Sequence, residues 1–453
     1  MRCFKTYDIR GRLGTDLDPA IMARIGRGFA RGLSASRVVL GHDARASSPE
    51  LAEALADALI AEGCVVYYLG LCGTEEVYFA TAHLEACGGL CVTASHNPID
   101  ENGVKLVGRG AAPLDPMQGL AAIRALVEAD DFGPAPGGGR REDVTERMRA
   151  AYVAHVVSLI DPGSLEPLRI LVNAGNGAAG PTFDAIAAEL AARGAPLEFK
   201  RLHHVPDSTF PNGIPNPLLE ANRGPTTAAV QAEEADLAVA WDGYFDRCFF
   251  FDHTGRFVEG EYVTALLAEA FLARSPGECV VHDGRVIWAV QETIARHGGQ
   301  AVQAPTGHVF FKAALRETGA IYGGEMSAHH YFRDFACCDS GMIPWLLIAE
   351  LISRRGQSLA DLVAELRAAH PSSGEINFRL PDTAPALARV RAAFEDSALA
   401  VDTRDGLSFE FADWRFNLRS SNTEAVLRLN VETRGDPAML TRQVSILTGL
   451  IEG

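Results

Sequence analysis

The chain has 453 residues, of which 47% are hydrophobic and 22% are charged, as in an ordinary globular protein. This length exceeds what one hydrophobic core serves, so we expect three or four domains. The net charge of −17 argues against nucleic acid or an anionic membrane as the main partner, although local arginine and lysine clusters could still bind phosphorylated sugars.

The cysteines indicate a reducing compartment. There are nine of them, an odd number, and they lack the paired spacing of zinc sites. The N-terminal residues show no apolar core of a signal peptide, and no apolar run reaches the roughly 18 residues of a membrane span. We therefore expect a cytoplasmic protein with free thiols, no membrane partner and no obligate protein partner.

The first third of the chain alternates strands and helices. Strands are predicted at residues 4–11, 37–41, 65–68 and 88–92. Between the first two strands, Ile21, Ile25, Phe29 and Leu33 recur at every fourth position, which is typical of an amphipathic helix. Ser48, followed by a proline, predicts the N-cap of a second helix. This alternation predicts a parallel sheet with helices on both faces.

Glycines and prolines make 133–139 the most linker-like stretch. Beyond it, the sequence predicts a helix at about 144–160 and strands at 168–173 and 235–240. The glycine-rich turn at 174–177 leads into a helix, so it could bind phosphate or could reflect tight packing.

The α/β pattern continues to about residue 370. Helices are predicted at 260–272, 288–297, 309–317, 341–354 and 358–369, and strands at 279–281 and 301–304. From Glu375 onward, strand-like runs outnumber helices, which predicts an α+β unit with an antiparallel sheet. We expect three similar α/β/α domains with mixed, mostly parallel sheets at 1–142, 143–255 and 256–370, and an α+β domain at 371–453.

A candidate nucleophile follows the strand at 88–92. Residues 93–98 read Thr-Ala-Ser-His-Asn-Pro, and the Asn-Pro pair turns the chain aside before a helix can form. Ligand chemistry in α/β folds gathers where strands end, so the Ser95 hydroxyl, with His96, Asn97 and Lys105 near it in sequence, could be reactive. The alternative is a polar turn with a solvent-facing serine.

A candidate cation site lies in another loop at a strand end, where Asp242 and Asp246 are four residues apart. Two carboxylates in a loop suit a hard divalent cation such as Mg²⁺, which completes its coordination with water and substrate phosphate. The alternative is a turn in which the aspartates accept hydrogen bonds from backbone amides.

A candidate phosphate site lies between the two last predicted strands. Arg419, Ser421, Asn422 and Thr423 offer a guanidinium, two hydroxyls and an amide in one turn, which suits a phosphate dianion. The alternative is a polar loop capped by serine and threonine.

Two further segments could contact a sugar. Glu325, Ser327 and His329 present alternating acceptor and donor groups, as sugar hydroxyls require. His308 lies between a predicted strand and a predicted helix, where an imidazole could transfer protons. A single histidine in such a place can equally be structural.

In combination and in order, these segments resemble the α-D-phosphohexomutase family, most closely its phosphomannomutase/phosphoglucomutase branch. The resemblance spans almost the whole chain. It includes segments 7–11, 93–98, 102–105, 242–247, 306–308, 324–327 and 419–423. Segments 71–76 and 212–217 are similar to the bacterial phosphomannomutases in particular, and Met326 favours hexose substrates.

The resemblance implies a four-domain fold with the active site in a central cleft. Ser95 would be a phosphoserine that exchanges its phosphoryl group with mannose 1-phosphate or mannose 6-phosphate through a hexose 1,6-bisphosphate, which would also be the activator. Mg²⁺ would bind an oxygen of phosphorylated Ser95 together with Asp242 and Asp246. Phosphoryl transfer needs charge neutralisation and in-line placement more than covalent assistance, and such a site supplies both.

The resemblance also implies further site residues and hexose phosphates as partners. The catalytic residues besides Ser95 would be His96, Lys105, Arg247 and His308. The substrate-binding residues would be Tyr7, Arg10, Arg285, Glu325, Ser327, His329, Arg419, Ser421, Asn422, Thr423 and Arg428.

Tyr244 departs from the family pattern, which has a third aspartate there. A neutral phenol, with an ordinary pKa near ~10, is a poor Mg²⁺ ligand, so we predict weaker metal binding and reduced turnover. Smaller departures are Glu101, Pro305 and Ala425. Two alternatives therefore stand beside an active phosphomannomutase: a catalytically weakened sugar-phosphate-binding paralogue, and a mutase that acts mainly on glucose phosphates.

Overall fold

The computed structural model describes residues 1–420 and 426–453. They form two compact units, the first made of Met1–Phe257 and His329–Gly356, the second of Val258–Ala328 and Gln357–Gly453. Among the helices of these residues, none combines the length and the apolar character that crossing a membrane requires.

The N-terminal sheet is mixed. Its strands are β1 (Ile9–Arg12), β2 (Arg37–His42), β3 (Val65–Leu71), β4 (Gly88–Val92), β5 (Glu101–Gly108) and β6 (Arg140–Asp143). The accompanying helices are α1 (Pro19–Gly32), α2 (Ser48–Ala61), α3 (Thr74–His83) and α4 (Ala121–Ala129). The strand order is β1-β5-β4-β2-β3-β6, and β2 is parallel to β3 and β4 as predicted, whereas β5 is antiparallel to β4 and β1.

The helix starts in this region show why local signals succeed or fail. The side chain of Asp18 accepts a hydrogen bond from the Ile21 amide and caps α1, whose Ile25 and Phe29 are buried as the stripe predicted. The prediction of Ser48 as the N-cap of α2 is wrong. Ser48 is the first residue of the helix, and its hydroxyl donates to a buried carboxylate, Asp43 Oδ1, 2.6 Å away.

The second sheet contains a hairpin that carries the candidate cation loop. Its elements are α5 (Thr145–Val157), β7 (Leu168–Asn173), α6 (Ala179–Ala192), β8 (Leu197–Leu202), α7 (Gly224–Ala232), β9 (Leu237–Trp241), β10 (Cys248–Asp252) and β11 (Phe257–Val258). β7 is parallel to β8 and β9, and β10 runs antiparallel to β9, so residues 242–247 connect two buried strands.

The glycine-rich turn at 174–177 favours the packing interpretation. A Cβ on Gly177 would lie 2.7 Å from the carbonyl oxygen of Gly243, and the amide of Ala178 donates to that oxygen at 3.2 Å. Only glycine, which has no Cβ, allows the backbone at 177 to approach the Gly243 carbonyl so closely. Because the Ala178 amide donates to that carbonyl, it is not available to bind phosphate. The turn therefore supports the loop that contains Asp242.

Residues 260–355 are divided between the two units. Their elements are α8 (Gly260–Arg274), β12 (Cys279–His282), α9 (Trp288–Arg296), β13 (Gln300–Gln303), α10 (His308–Thr318), β14 (Tyr322–Gly324), β15 (His330–Phe332), β16 (Cys338–Asp339) and α11 (Met342–Arg355). In the second unit, β12 is parallel to β13 and β14. In the first unit, β15 and β16 form an antiparallel pair, and α11 is anchored where Trp241 Nε1 donates to the Gly341 carbonyl at 2.8 Å.

The C-terminal part is the predicted α+β unit. After α12 (Leu359–Ala369), which precedes this unit, its elements are β17 (Ser372–Arg379), α13 (Ala384–Phe394), β18 (Ala400–Asp402), β19 (Leu407–Glu410), β20 (Trp414–Ser420), β21 (Val426–Thr433) and α14 (Pro437–Glu452). The sheet is antiparallel throughout, in the order β17-β21-β20-β19-β18. Alternate residues such as Phe416, Leu418 and Leu429 form its core against α13 and α14.

Candidate active site

Ser95 lies in the turn between β4 and β5 and is only 1% exposed. Its φ of +55° is a left-handed conformation that costs a serine about 1–2 kcal/mol, so the surrounding contacts must hold it. Its Oγ lies 2.8 Å from His96 Nδ1 and 3.2 Å from Asp242 Oδ2. This burial and these contacts contradict the alternative of a solvent-facing serine.

Asp242 and Asp246 are fully buried, and each forms an ion pair through one oxygen. Arg247 Nε donates to Asp242 Oδ2 at 3.1 Å, and Lys105 Nζ donates to Asp246 Oδ2 at 2.6 Å. The other oxygen of each, Oδ1, is buried and has no hydrogen-bond partner among the described residues. These side chains therefore do not cap backbone amides, and two carboxylate oxygens remain available for a cation.

The ion pairs set the protonation of this loop. Burial and the charge of Asp246 raise the pKa of Asp242 to about 6. Burial alone would lower the pKa of Lys105, but the acidic groups around it, with Asp246 the strongest, together outweigh burial and raise that pKa above its ordinary value. The pKa of Arg247 is raised in the same way, by Asp242 against the effect of burial. Both cations therefore stay protonated.

His96 is neutral and its tautomer is defined by its contacts. Burial and the charges of Arg247 and Arg10 lower the pKa of His96 to about 2. Its Nδ1 lies 2.6 Å from Arg247 Nη2, which can only donate, so Nδ1 must be the unprotonated nitrogen. The Arg247 donor therefore occupies the single lone pair of Nδ1, whereas the Ser95 hydroxyl donates to Asp242 Oδ2, and neutral His96 is a weak proton acceptor.

The predicted residues Tyr7 and Arg10 lie just before and in β1. Arg10 Nη1 donates to Asn97 Oδ1 at 2.6 Å, and Arg10 Nε donates to Asp8 Oδ2 at 2.7 Å. Arg10 therefore contacts the serine turn, whereas Tyr7 is half-buried in the segment leading to the strand.

His329 belongs to the first unit and lies beside the cation loop. It pairs with Arg247 through a β-bridge, and its Nδ1 lies 3.1 Å from Asp339 Oδ2. One ligand atom each from Asp246, His329 and Asp339 falls within 4.8 Å of the others, a spacing at which a metal ion could be held. Asp339 was missed in the sequence, where its only signal is a position two residues before a glycine.

The donor set fits a divalent cation, with one carboxylate fewer than the family pattern. Asp242 Oδ1, Asp246 Oδ1 and Ser95 Oγ are the hard oxygen ligands that Mg²⁺ prefers. Tyr244 is 3% exposed, and Lys105 Nζ lies 4.5 Å from its ring centroid. Burial and the charge of Asp246 raise the pKa of Tyr244, so this residue contributes a neutral ring and no charge.

The second unit brings together Arg285, Glu325 and Ser327. Arg285 Nη2 lies 3.4 Å from Ser327 Oγ and 3.8 Å from Glu325 Oε2, and Ser327 Oγ donates to Glu325 Oε2 at 3.2 Å. Asp283 anchors the arginine, whose Nη2 donates to Asp283 Oδ2 at 2.6 Å. This arrangement presents a carboxylate, a hydroxyl and a guanidinium together, as the sugar-binding prediction requires.

The second unit also gathers arginines. Arg419 on β20 and Arg428 on β21 are directly opposite each other, and burial together with the charge of Arg285 lowers the pKa of Arg419. Glu375, which sequence reasoning missed as a site residue, lies 3.6 Å from Arg285 and 3.7 Å from Arg428. Cations that lack enough counter-charge favour an anionic ligand.

Two predictions concern the remaining site residues. His308, which was predicted to lie between a strand and a helix at 309–317, is the first residue of α10. Ser421, Asn422 and Thr423 of the predicted phosphate turn lie outside the described residues.

Comparison with known proteins places the whole chain in one family. Profiles for the phosphoglucomutase/phosphomannomutase α/β/α domains I, II and III match residues 1–134, 150–255 and 259–369, and the C-terminal domain of that family matches 375–448. These matches confirm the predicted four-domain α/β architecture.

Full-length relatives carry mutase names. A phosphomannomutase of Salmonella montevideo is 54% identical and covers 99% of this chain and 98% of its own. A protein named phosphohexose mutases, from Xanthomonas campestris pv. campestris strain B100, is 53% identical and covers 99% of both chains. Among solved structures, a phosphoglucomutase/phosphomannomutase family protein from Burkholderia thailandensis aligns with a TM-score of 0.85 at 32% identity, covering 99% of this chain and 97% of its own.

These relatives confirm the resemblance and the prediction of an enzyme of the mutase type, in the isomerase class. The matches extend over all four domains of the family. The chain belongs to the phosphoglucomutase/phosphomannomutase family.

Proposed function

We propose that the chain interconverts mannose 1-phosphate and mannose 6-phosphate, with Ser95 as the phosphoryl carrier. The observation that carries this proposal is the buried Ser95 hydroxyl between His96 Nδ1 and Asp242 Oδ2, held in a left-handed turn. The names of the 53–54% identical relatives support hexose phosphates as substrates and mannose as the sugar.

The first unit would bind and transfer the phosphoryl group. The family is magnesium-dependent, and a cation held by Asp242 Oδ1 and Asp246 Oδ1 would neutralise charge on the transferring group. Lys105 and Arg247, both protonated and buried, add positive charge around Ser95 without exchanging protons. Stabilisation of charge by preorganised groups accounts for much of catalysis in such reactions.

The proton of the sugar hydroxyl needs an acceptor. His96 is a weak base because its pKa is about 2, and Lys105 is kept protonated by Asp246. Of the predicted catalytic residues, His308 at the start of α10 is therefore the one we assign to proton transfer.

The second unit would hold the sugar phosphate. We assign Glu325, Ser327 and Arg285 to the sugar hydroxyls, and Arg419 and Arg428 to the phosphate that does not react. We retain Tyr7, Arg10, His329, Ser421, Asn422 and Thr423 as further proposed contacts. One phosphate site that accepts the substrate in two orientations would allow exchange between C1 and C6.

A hexose 1,6-bisphosphate would serve as activator, because it phosphorylates Ser95 directly. We also retain the domain bounds 1–142, 143–255, 256–370 and 371–453, which enclose the four matched family segments. The nine cysteines are free thiols, which supports a cytoplasmic location.

A weakened paralogue is the alternative that a specific observation favours. Tyr244 places a neutral ring where the family pattern has a carboxylate, so the cation would be held by fewer charges. Catalysis limited by metal binding would then need more Mg²⁺ or would be slow at saturation.

A coupled assay separates these functions. Purified protein would be supplied with mannose 1-phosphate or glucose 1-phosphate, Mg²⁺ and a hexose 1,6-bisphosphate, and Ser95→Ala would be compared with the exposed-site control Ser158→Ala. We expect turnover, and a mass increase of about 80 Da that Ser95→Ala loses and Ser158→Ala keeps. Inactivity on both sugars at saturating Mg²⁺ would reject the mutase proposal.

A further inference from the structure

The sequence His-Asp-x-Arg occurs at two strand ends, at 42–45 after β2 and at 282–285 after β12. In both copies the histidine Nδ1 contacts the carbonyl oxygen of the next residue, at 2.9 Å for His42 and 2.7 Å for His282. In both copies the aspartate Oδ1 accepts the arginine amide, at 3.0 Å and 2.9 Å. The chain therefore builds the same turn twice.

The second copy anchors the sugar-binding segment. Asp283 Oδ2 accepts the amide of Met326 at 2.9 Å, and Arg285 reaches Ser327 Oγ. The turn after β12 therefore holds the loop that follows the neighbouring strand β14, and Arg285 extends into that loop.

The first copy has the same relation to the serine turn. Asp43 Oδ2 accepts the hydroxyl of Thr93 at 2.6 Å, and the same hydroxyl oxygen accepts the amide of Ser95 at 3.1 Å. The carboxylate thereby fixes the entrance to the turn through a side chain that itself holds the Ser95 backbone.

Arg45 binds the rest of that turn and is 1% exposed. Its Nη1 donates to the carbonyl oxygens of Pro98 and Glu101 at 2.9 Å and 3.0 Å. Its Nη2 donates to those of Ser95 and Asn97 at 2.8 Å and 2.6 Å. A planar guanidinium with fixed donors can satisfy four carbonyls at once, which an ammonium group cannot do.

We propose that Arg45 is a positioning residue for phosphoryl transfer, which holds Ser95 in its left-handed conformation by binding four carbonyls of residues 95–101. This inference rests on the proposed function, in which Ser95 carries the phosphoryl group. Arg45 acts through the backbone and contacts no reacting atom. Because misplacement of a reacting group by about 1 Å can cost about 100-fold in rate, loss of this clamp should reduce the rate of Ser95 phosphorylation.

The test compares Arg45→Ala and Arg45→Lys with a matched control, Arg149→Ala. Arg149 is a largely buried arginine of the same unit that donates to Glu76 Oε1 and to the Leu71 carbonyl, both at 3.1 Å. The assays measure phosphorylation of Ser95 by glucose 1,6-bisphosphate from intact mass, kcat and KM for the sugar phosphate, and amide hydrogen exchange over residues 93–101.

We expect Arg45→Ala to lower the phosphorylation rate and kcat by about 100-fold while KM stays within about threefold, because the residues assigned to the sugar hydroxyls and to the non-reacting phosphate belong to the second unit. Millimolar guanidinium should restore part of the rate to Arg45→Ala and none to Arg149→Ala. Arg45→Lys keeps the positive charge but lacks the planar guanidinium, so its phosphorylation rate should fall about 10-fold or more. This variant also tests the proposal if Arg45→Ala does not fold.

A wild-type rate in Arg45→Lys, or an equal loss in Arg149→Ala, would overturn the proposal. Hydrogen exchange distinguishes this failure from failure of the mutase proposal. If the wild-type enzyme is inactive on both sugars, faster exchange over 93–101 in the Arg45 variants alone still supports the clamp, and unchanged exchange rejects it.

Discussion

Tyr244→Asp is the substitution that most directly tests the structure of the cation loop. The tyrosine ring is buried beside Lys105 Nζ, between two aspartates whose Oδ1 atoms have no hydrogen-bond partner among the described residues. The change removes the ring and adds a third carboxylate to the loop. Metal binding should strengthen while the metal-free protein loses stability.

Both effects can be estimated. An interaction with a charged group contributes about 1.5–3 kcal/mol net, which corresponds to an affinity for Mg²⁺ that is roughly 10- to 150-fold higher. Truncating a buried aromatic ring costs about 3–5 kcal/mol, and the contact of Lys105 with the Tyr244 ring adds roughly 0.5–2 kcal/mol. Saturating Mg²⁺ should recover part of this loss, because the ion binds the folded protein.

The measurement is a calorimetric titration of Mg²⁺, together with the Mg²⁺ dependence of the mutase rate. Tyr244→Asn is the matched control, since it truncates the ring equally and adds no charge. We expect Tyr244→Asp to bind Mg²⁺ at least about 10-fold more tightly than Tyr244→Asn, and both variants to unfold at a lower temperature than wild type in the absence of metal.

Equal Mg²⁺ affinities for wild type, Tyr244→Asp and Tyr244→Asn would refute this reasoning. That result would mean that the side chain at this position does not face the cation, and that the departure from the family pattern has no consequence for the metal.

Two further substitutions test packing and buried charge. Gly73→Ala would place a Cβ 2.3–2.7 Å from three atoms of the Phe245 ring, so we expect a loss of about 1–3 kcal/mol and weaker Mg²⁺ binding, whereas Gly449→Ala, in open space, should not destabilise. Burial and the charge of Glu259 raise the pKa of Glu261 to about 7, so the folded state binds this proton more tightly and stability is lost as pH rises from about 4 through 7. Glu261→Gln should therefore gain about 3 kcal/mol relative to wild type at pH 8 but not at pH 4, as measured by urea unfolding, and a pH-independent difference would contradict this.

Much of the local structure followed from periodicity and turn residues. The stripe at Ile21, Ile25 and Phe29 predicted α1, and the strand-rich composition after Glu375 predicted the antiparallel C-terminal sheet. These signals succeed because a helix or strand that buries one face must repeat its apolar residues at the period of that structure.

Other features were hidden because their cause is distant in sequence. β5 was missed since Asn102 and Gly103 are typical of a turn, yet pairing with β1 and β4 makes the segment a strand. The role of Arg45 has no local signal, because its four acceptors are carbonyls 50–56 residues away.

The sequence by itself determined the family, the change from α/β to antiparallel α+β structure near residue 375, and the candidate serine, because these depend on residue types in local patterns. Only the tertiary structure decided which buried polar and charged side chains contact each other. Lys105 pairs with Asp246 across 141 residues, and Ser95 contacts Asp242 across 147. A buried polar or charged group that has left water is costly unless the fold supplies a hydrogen-bond or ion-pair partner. Because that partner can be far away in sequence, no local pattern predicts it.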